Sequence, residues 1–358
     1  MTKNKKITLG IIGCGTIGKF HVRNIIRNFR QVRIKYICDT DIINVRNWAI
    51  KERFEDGIAF ITDYADILND GEVNAVIIST QITQHTDILI KAAGALKNVF
   101  CEKQIGTDPK QIKTAIDLVE RNGLKLQVGF HRRFDVNYIK AKEMISKGAV
   151  GKVHIVKAVT RIPQVLPARY LVKGLFAGHL NEVTSHDFDV IRYITGAEAE
   201  EVFAFGKVLI EPKFAEIGDY DTIVTSMKFD NDSIGTVDSS MQAKYGFDQR
   251  VEVFGSDGCI FVNNMIPTQI FYYSSAGGRV DKLTSEAWSK KQSYSLFYMD
   301  RYHDAFVNEF DQFFKAIIED KEPICRGIDG LKNILICDAA KKSADTNKPV
   351  KIDYSICQ

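Results

Sequence analysis

The feature that most constrains this chain is a glycine turn between an apolar strand and a helix near the N-terminus. Residues Ile7 to Ile12 form a continuous apolar run, which is typical of a buried parallel strand. Gly13, Gly15 and Gly18 follow in the spacing GxGxxG, and apolar residues then recur at helical spacing from Ile17 to Ile26. A strand, a glycine turn and a helix in this order predict a dinucleotide-binding βαβ unit.

The three glycines have different tasks in such a unit. Gly13 allows the tight turn, Gly15 has no side chain to block a pyrophosphate, and Gly18 lets the helix pack closely on the strand. The backbone amides at the start of the helix, at Thr16, Ile17 and Gly18, then face the negative phosphates.

The choice between the two nicotinamide dinucleotides depends on the end of the second strand. Val32 to Cys38 reads as that strand, and Asp39 follows it, where a carboxylate can accept hydrogen bonds from an adenosine ribose and repels a 2'-phosphate. The next residue is Thr40 rather than an arginine, so we expect NAD, although Arg46 keeps NADP open. The alternative is a glycine turn in an α/β domain that binds no nucleotide.

Length and composition limit the function classes. At 358 residues, with 45% hydrophobic and 26% charged residues, the chain predicts two ordinary globular domains. Lys plus Arg number 48 against 45 Asp plus Glu, which gives no general attraction to nucleic acid or anionic membranes. No apolar stretch approaches the ~18 residues that a membrane span needs, and no signal peptide precedes the first strand, so we expect a cytoplasmic protein. Seven dispersed cysteines without a CxxC pair predict reduced thiols.

The pattern of elements predicts two different architectures. Residues 1–128 alternate short apolar strands with helices, which indicates an α/β Rossmann domain with a doubly wound parallel sheet. Residues 129–358 predict an α+β domain with a large, mostly antiparallel open sheet, because turn residues separate successive strands. These strands are predicted at Val153 to Ile162, Glu200 to Ile210, Asp221 to Phe229, Ser233 to Met241, Arg250 to Phe254, Cys259 to Val262 and Gln269 to Tyr273.

Polar residues follow two strands of the predicted parallel sheet. Ser79 and Thr80 end one strand and lead to His85, and Glu102 and Lys103 end the next one. Ligands of such sheets lie beyond the carboxyl ends of the strands. We therefore expect these five residues to flank a nicotinamide.

The most informative stretch of the second domain contains Glu182 and His186. Read as one α-helix from Leu180, it places both residues one turn apart on the border of an apolar face. A carboxylate one turn before an imidazole can orient the ring and raise its basicity, as a general base near neutral pH requires. The alternative is an exposed pair of side chains with no chemical task.

Four potential metal ligands lie close together in this stretch, at His179, Glu182, His186 and Asp187. We expect no metal here. The stretch has no HExxH arrangement, and oxidation of an alcohol by a nicotinamide does not require zinc.

These features together resemble the glucose-fructose oxidoreductase and inositol dehydrogenase family. The glycine turn, Glu102-Lys103, the stretch Gly129-Phe-His-Arg-Arg-Phe-Asp135 and the stretch from Glu182 to Asp189 carry the resemblance, which spans nearly the whole chain. Within the family, His-Arg-Arg-Phe-Asp followed by Gly151-Lys-Val153 is most similar to the inositol 2-dehydrogenases.

The resemblance implies catalytic and substrate-binding residues. Lys103 is implied to point at the substrate hydroxyl, and His186, paired with the acidic Glu182, to accept the proton while hydride passes to C4 of the nicotinamide. Arg133 and Tyr245 fall where members of the family line the substrate pocket. An interdomain ion pair is the alternative for Arg133, and a core position for Tyr245.

Two residues depart from the family pattern. Gln104 stands where the family usually has proline after the Glu-Lys pair, so Lys103 is less rigidly held or is supported in another way. Glu182 stands where its inositol enzymes usually have Asp, which moves the charge by one methylene and can change substrate preference.

The resulting hypothesis is an NAD-dependent dehydrogenase that oxidises a ring secondary alcohol of an inositol to a ketone. One alternative keeps the fold and changes the substrate to an aldose, a sugar acid or a nucleotide sugar. Another is a sugar-sensing regulator without turnover. The resemblance also implies a homo-oligomer, a tetramer or dimer, formed through the C-terminal sheet.

Overall fold

The computed structural model describes residues 6–165, 167, 170–172, 176–263, 270–274 and 298–358. The described chain divides into two compact units. The first contains the residues through Phe130 together with Phe306–Leu331 and Cys357, and the second contains His131–Ala305, Lys332–Ile356 and Gln358. The division predicted from the sequence assigns Phe306–Leu331 to the second domain, whereas this segment packs in the first unit.

The first unit is built on a six-stranded sheet in the order β3-β2-β1-β4-β5-β6, in which all neighbouring strands are parallel. Its central strands β1 and β4 are apolar except for Thr8 and are buried along nearly their whole length. The strands are β1 (Ile7–Ile12), β2 (Val32–Cys38), β3 (Ala59–Ile61), β4 (Ala75–Ile78), β5 (Asn98–Cys101) and β6 (Leu126–Val128). The intervening helices are α1 (Thr16–Asn28), α2 (Ile42–Glu52), α3 (Ala65–Asn69), α4 (Ile82–Gly94) and α5 (Pro109–Arg121).

The second unit is built on an eight-stranded sheet in the order β13-β12-β11-β7-β10-β9-β8-β14. Only β7 and β10 pair in parallel among the described strands of this sheet, and all other neighbours are antiparallel. The strands are β7 (Val153–Arg161), β8 (Ala199–Lys207), β9 (Thr222–Phe229), β10 (Ile234–Ser240), β11 (Asp248–Gly255), β12 (Gly258–Val262), β13 (Ile270–Ser274) and β14 (Val350–Lys351). The fold class predicted from the sequence is thereby confirmed; Gln269, the predicted start of β13, lies outside the described residues.

Helices complete both units. They are α6 (Val136–Ser146), α7 (Ser185–Thr195), α8 (Lys213–Glu216), α9 (Tyr298–Arg301), α10 (His303–Glu319) and α11 (Gly327–Thr346). The core of the first unit includes Phe100 of β5 and the α10 residues Phe310, Phe313 and Phe314. This packing explains why the C-terminal segment belongs to the first unit. No helix in the described part of the chain has the length and apolarity to span a membrane.

The large sheet has one buried and one exposed face. Along β9, the alternate residues Ile223, Thr225, Met227 and Phe229 are buried, and the residues between them are exposed. This period of two is typical of an antiparallel sheet with one face exposed to solvent. The seven cysteines all lie among the described residues, and no disulfide joins any two of them.

Candidate functional site

The glycine turn after β1 is tightly packed on one side and open on the other. Gly13 has a φ angle of +88°, and a Cβ atom there would lie 2.7 Å from the carbonyl oxygen of Ser79. A Cβ at Gly18 would lie 2.4 Å from the carbonyl oxygen of Gly13. At Gly15, no described atom lies within 4 Å of the Cβ position. This leaves room at Gly15 for the approach of a pyrophosphate.

Helix α1 begins at this turn, with Gly15 as its N-cap. No described side chain caps the helix, and its first turn contains no acidic residue. The amides of Thr16, Ile17 and Gly18 therefore retain donor capacity and the positive end of the helix dipole, which together suit a phosphate group.

The Asp39 carboxylate is fixed beside the glycine turn by two backbone amides. Its Oδ2 accepts a hydrogen bond from the amide of Cys14 at 2.6 Å, and its Oδ1 accepts one from Asp41 at 2.8 Å. Burial and the charge of Asp39 raise the pKa of the Cys14 thiol to about 12, so this thiol stays protonated at neutral pH. The fixed negative charge suits the ribose diol of NAD and repels a 2'-phosphate.

Ser79 supports the turn with its own side chain. It is buried at the end of β4, and its hydroxyl donates a hydrogen bond to the carbonyl oxygen of Gly13 at 2.7 Å. The predicted contact between Ser79 and the cofactor stays a prediction, and the hydrogen bond shows that this hydroxyl also supports the turn. No sequence pattern reveals this contact between the Ser79 hydroxyl and the Gly13 carbonyl.

His85 connects the two strand ends that were predicted to flank the nicotinamide. Its Nδ1 lies 2.7 Å from the carbonyl oxygen of Gln104, and its Nε2 lies 3.0 Å from that of Thr80. The next residue of α4, Thr86, donates a hydrogen bond to the carbonyl oxygen of Ile105 at 2.8 Å. Helix α4 thus holds the backbone directly after Lys103. This is a support for the lysine that does not depend on the proline absent at position 104.

Glu102 is held below the surface at the end of β5. It is 8% exposed, its Oε1 lies 2.7 Å from Nε2 of His21, and its Oε2 accepts the backbone amide of Lys103 at 3.2 Å. Lys103 itself is partly exposed, and the peptide bond between Lys103 and Gln104 is cis. These hydrogen bonds connect Glu102 to the protein, and its predicted contact with the cofactor stays a prediction.

In the second unit, the stretch with Glu182 and His186 is not one regular α-helix. Residues Leu180–Thr184 form a π-helical turn, and α7 begins only at Ser185. The expectation of a regular α-helix from Leu180 is wrong, because the wider turn changes which side chains lie above one another. Such π-turns occur frequently at functional sites. Glu182 within this turn and His186 just after it are both partly exposed.

The ring of His186 packs against the buried His131. The ring of His131 packs edge-on against it with a centroid distance of 4.8 Å, and His131 in turn packs edge-on against Tyr302 at 4.7 Å. His131 and Tyr302 are buried, whereas His186 keeps access to solvent. Packing against His131 thus holds the partly exposed imidazole of His186 in place, and this placement suits a proton acceptor.

Arg133 is buried in the second unit and forms an ion pair there. It is 4% exposed, and its guanidinium donates two hydrogen bonds to the Asp189 carboxylate, from Nε at 2.9 Å and from Nη2 at 2.7 Å. Its neighbour Arg132 donates to the buried Asp187 at 2.6 Å. Two nitrogens of the Arg133 guanidinium thus bond a partner 56 residues away, and the substrate contact of Arg133 stays a prediction.

Tyr245 is at the surface of the second unit and not in its core. It is 52% exposed, its hydroxyl donates to Oδ2 of Asp248 at 2.7 Å, and it accepts a hydrogen bond from Arg161 at 3.3 Å. Partial burial, and then the hydrogen bond to Asp248, raise the pKa of Tyr245. The contact of Tyr245 with the substrate accordingly stays a proposal.

The four potential ligands of the rejected metal site do not converge. The ring of His179 is buried and lies 2.8 Å from the hydroxyl of Ser239 and 3.0 Å from the carbonyl of Tyr220. Burial lowers the pKa of His179 to about 4, so the ring is neutral at neutral pH. Asp187 is engaged by Arg132, as described above. Over the described residues, this stretch provides no cluster with metal-ligand distances.

Two family models match nearly the whole chain. Residues 7–130 match the model described as oxidoreductase family, NAD-binding Rossmann fold, and residues 142–352 match the model described as oxidoreductase family, C-terminal alpha/beta domain.

Several curated proteins and solved structures are similar over their full length. The chain is 34% identical to the myo-inositol 2-dehydrogenase of Thermotoga maritima, covering 97% of this chain and 99% of that protein. It is 30% identical to the scyllo-inositol 2-dehydrogenase (NAD(+)) of Bacillus subtilis, covering 97% of each. The structure of myo-inositol 2-dehydrogenase from Lactobacillus plantarum superimposes with a TM-score of 0.84, at 25% identity, over 98% of this chain and 100% of that one.

Proposed function

This chain belongs to the oxidoreductase family that has an NAD-binding Rossmann domain and a C-terminal α/β domain, and we propose that it oxidises a ring hydroxyl of a cyclitol to a ketone. It is an NAD-dependent oxidoreductase, as the sequence predicted. The observation that carries the substrate class is the full-length similarity to proteins named for myo-inositol and scyllo-inositol. Inositol is therefore the first substrate to test.

The first unit supplies the residues that would hold NAD. The open space at Gly15, the amides at the start of α1 and the fixed carboxylate of Asp39 fit the pyrophosphate and the ribose of this cofactor. When bound, NAD accepts the hydride of the alcohol carbon at C4 of its nicotinamide. The backbone around Thr80 and Gln104, tied together by His85, would border that ring.

The remaining chemistry is removal of one proton from the hydroxyl. Oxidation of a secondary alcohol releases a hydride from carbon and a proton from oxygen. We assign the proton to His186, whose imidazole can accept it, and we assign hydrogen bonding of the hydroxyl oxygen to the Lys103 ammonium, which stabilises negative charge on that oxygen. We assign to Glu182, four residues before His186 on the π-turn, the part of the acidic partner that orients the imidazole.

A deuterium-transfer experiment tests this assignment. The chain is mixed with NAD and with myo-inositol that carries deuterium on every ring carbon, and the reduced cofactor is analysed by NMR. We expect one deuterium at C4 of the nicotinamide and one ketone per inositol product. Reduced cofactor without deuterium, or no reduction with any inositol isomer, would contradict the proposal.

Replacing Asp39 by serine is expected to relax the preference for NAD. The substitution removes the negative charge that repels a 2'-phosphate, and a like-charge contact costs more than ~1.4 kcal/mol, so the ratio of kcat/KM for NAD over NADP should fall at least about tenfold. Asp41→Ser removes a neighbouring exposed charge and serves as the matched control. An unchanged ratio in Asp39→Ser would show that another residue sets the preference.

We also propose that the chain forms a homo-oligomer through the exposed face of the large sheet. Large apolar side chains stand on this face, at Phe205, Val224, Ile234 and Phe254, with exposed fractions between 43% and 57%. An apolar sheet face of this kind is commonly covered by a partner subunit. Sedimentation of the whole chain should give a dimer or tetramer, and Phe205→Glu should shift it toward the monomer. A monomeric wild-type chain at micromolar concentration would contradict this.

A further inference from the structure

A buried cluster of three ionisable side chains lies in the first unit. It consists of His21 of α1, Glu102 after β5 and Glu309 of α10, and one ligand atom from each lies within 4.8 Å of the other two. His21 and Glu309 are fully buried, and Glu102 is almost so. Glu309 is separated from Glu102 by more than 200 positions in the sequence and carries no role in the chemistry described so far.

Glu102 is the centre of this cluster. One of its carboxylate oxygens contacts His21 at 2.7 Å, and the other accepts the backbone amide of Lys103 at 3.2 Å. The Glu102 carboxylate therefore contributes to the position of the Lys103 backbone, beside the contacts of α4 with the carbonyls of Gln104 and Ile105. A group that fixes this carboxylate supports the start of the lysine side chain.

The surroundings of Glu309 are apolar. Phe306 and Phe310 precede and follow it on α10, and both rings pack against the His21 ring with centroid distances of 5.9 and 4.9 Å. No described N–H or O–H group donates a hydrogen bond to either carboxyl oxygen of Glu309. A second carboxylate at this distance from Glu102 cannot easily ionise without water around it. Burial, and then the charge of Glu102, raise the pKa of Glu309 well above its ordinary value.

Among the described residues, the titratable groups beside Glu309 in this cluster are Glu102 and His21. The neutral side-chain amide of Gln127 in β6 donates a hydrogen bond to the backbone carbonyl oxygen of Glu309 at 2.7 Å. A protonated Glu309 has one O–H donor, and the Glu102 carboxylate is an acceptor only. A neutral acid beside an ionised one thus supplies a donor where two anions would repel one another.

We propose that Glu309 is a positioning residue for the reaction: as a neutral carboxylic acid, it holds the Glu102 carboxylate between His21 and the Lys103 amide. The inference rests on the proposed role of Lys103 in binding the substrate hydroxyl. Glu309 acts through Glu102 and touches neither substrate nor cofactor.

A divalent cation bound by the three side chains would also compensate the two carboxylates. The direct contact of 2.7 Å between His21 and Glu102 favours the hydrogen-bonded arrangement. Two ligands bound at ~2.1 Å to one tetrahedral metal lie farther apart, at roughly 3.4 Å. The metal is therefore an outcome of the test and not the proposal.

Infrared difference spectroscopy tests the neutral state of Glu309. The wild-type chain at neutral pH should show the C=O band of a protonated carboxylic acid, and this band should be missing in Glu309→Gln. Absence of the band from the wild-type chain would overturn the proposal, and so would one equivalent of Zn²⁺ or another divalent metal in the purified chain.

Two variants test the positioning role. Glu309→Gln keeps a neutral donor of the same shape and should retain kcat within about threefold, whereas Glu309→Leu removes the donor and should lower kcat about tenfold with little change in NAD affinity. Hydrogen exchange at the Lys103 amide should be faster in Glu309→Leu only. Ile317→Val removes a buried methyl group elsewhere on α10 and controls for general loosening of the helix.

Equal loss of kcat in both Glu309 variants would show that an ionised carboxylate is needed and would overturn the inference. Wild-type exchange and wild-type kcat in Glu309→Leu would also overturn it. If Glu309→Leu does not fold, the infrared band and the kcat of Glu309→Gln still decide. The infrared and exchange measurements need no turnover, so they remain informative if the substrate proposal fails.

Discussion

Replacing Lys103 by alanine is expected to lower kcat for inositol oxidation by about a thousandfold, while the dissociation constant for NAD stays within about threefold. The ammonium would stabilise the oxygen of the reacting alcohol as it loses its proton, and this interaction is strongest in the transition state. The loss should therefore fall on kcat. Stopped-flow measurement of reduced cofactor, with NAD binding followed by calorimetry, separates the two quantities.

The control for this variant is Lys110→Ala, which removes an exposed lysine at the start of α5 in the same unit. It should leave kcat and NAD affinity unchanged. If Lys103→Ala loses NAD affinity in parallel with kcat, the lysine holds the cofactor and its assigned role is wrong.

Replacing His186 by glutamine is expected to lower kcat by about a hundredfold to ten-thousandfold, because the hydroxyl then loses its proton acceptor. Glutamine keeps a polar side chain of similar reach but cannot accept a proton near neutral pH. In the wild-type chain, kcat should rise with pH as the acceptor loses its own proton. In His186→Gln this rise should disappear, and added imidazole should restore part of the rate.

His154→Gln is the matched control, because His154 is an exposed histidine on β7 of the same unit. Its pH profile should match that of the wild-type chain. If His186→Gln keeps both the rate and the pH profile of the wild-type chain, another group accepts the proton and the role assigned to His186 is wrong. The π-turn that carries Glu182 would then have no assigned role in the reaction.

The fold could be predicted because its determinants are local and periodic. The continuous apolar runs of β1 and β4 indicate strands buried on both faces, and the alternation along β9 indicates a sheet exposed on one face. The glycine turn that indicates the cofactor domain is also a local feature, because the backbone conformation at Gly13 limits which residue can stand there.

The site was less predictable because it depends on contacts between residues far apart in the sequence. Arg133 is engaged by Asp189, and the hydroxyl of Ser79 by the Gly13 carbonyl, and no periodicity indicates either contact. The sequence before α7 keeps the apolar spacing of a regular α-helix, so it does not reveal the π-turn there. Glu309 did leave one signal, a charged residue on the phenylalanine face of an amphipathic helix.

The most direct test of the central claim compares substrates and cofactors in one assay. Formation of reduced cofactor is followed by absorbance, with NAD and then NADP, for myo-, scyllo- and chiro-inositol and for common aldoses. We predict turnover with an inositol and NAD that exceeds turnover with every aldose. Turnover with aldoses alone would contradict the cyclitol assignment and direct attention to Glu182 and Gln104, and no turnover with any of these compounds would favour a sugar-sensing regulator.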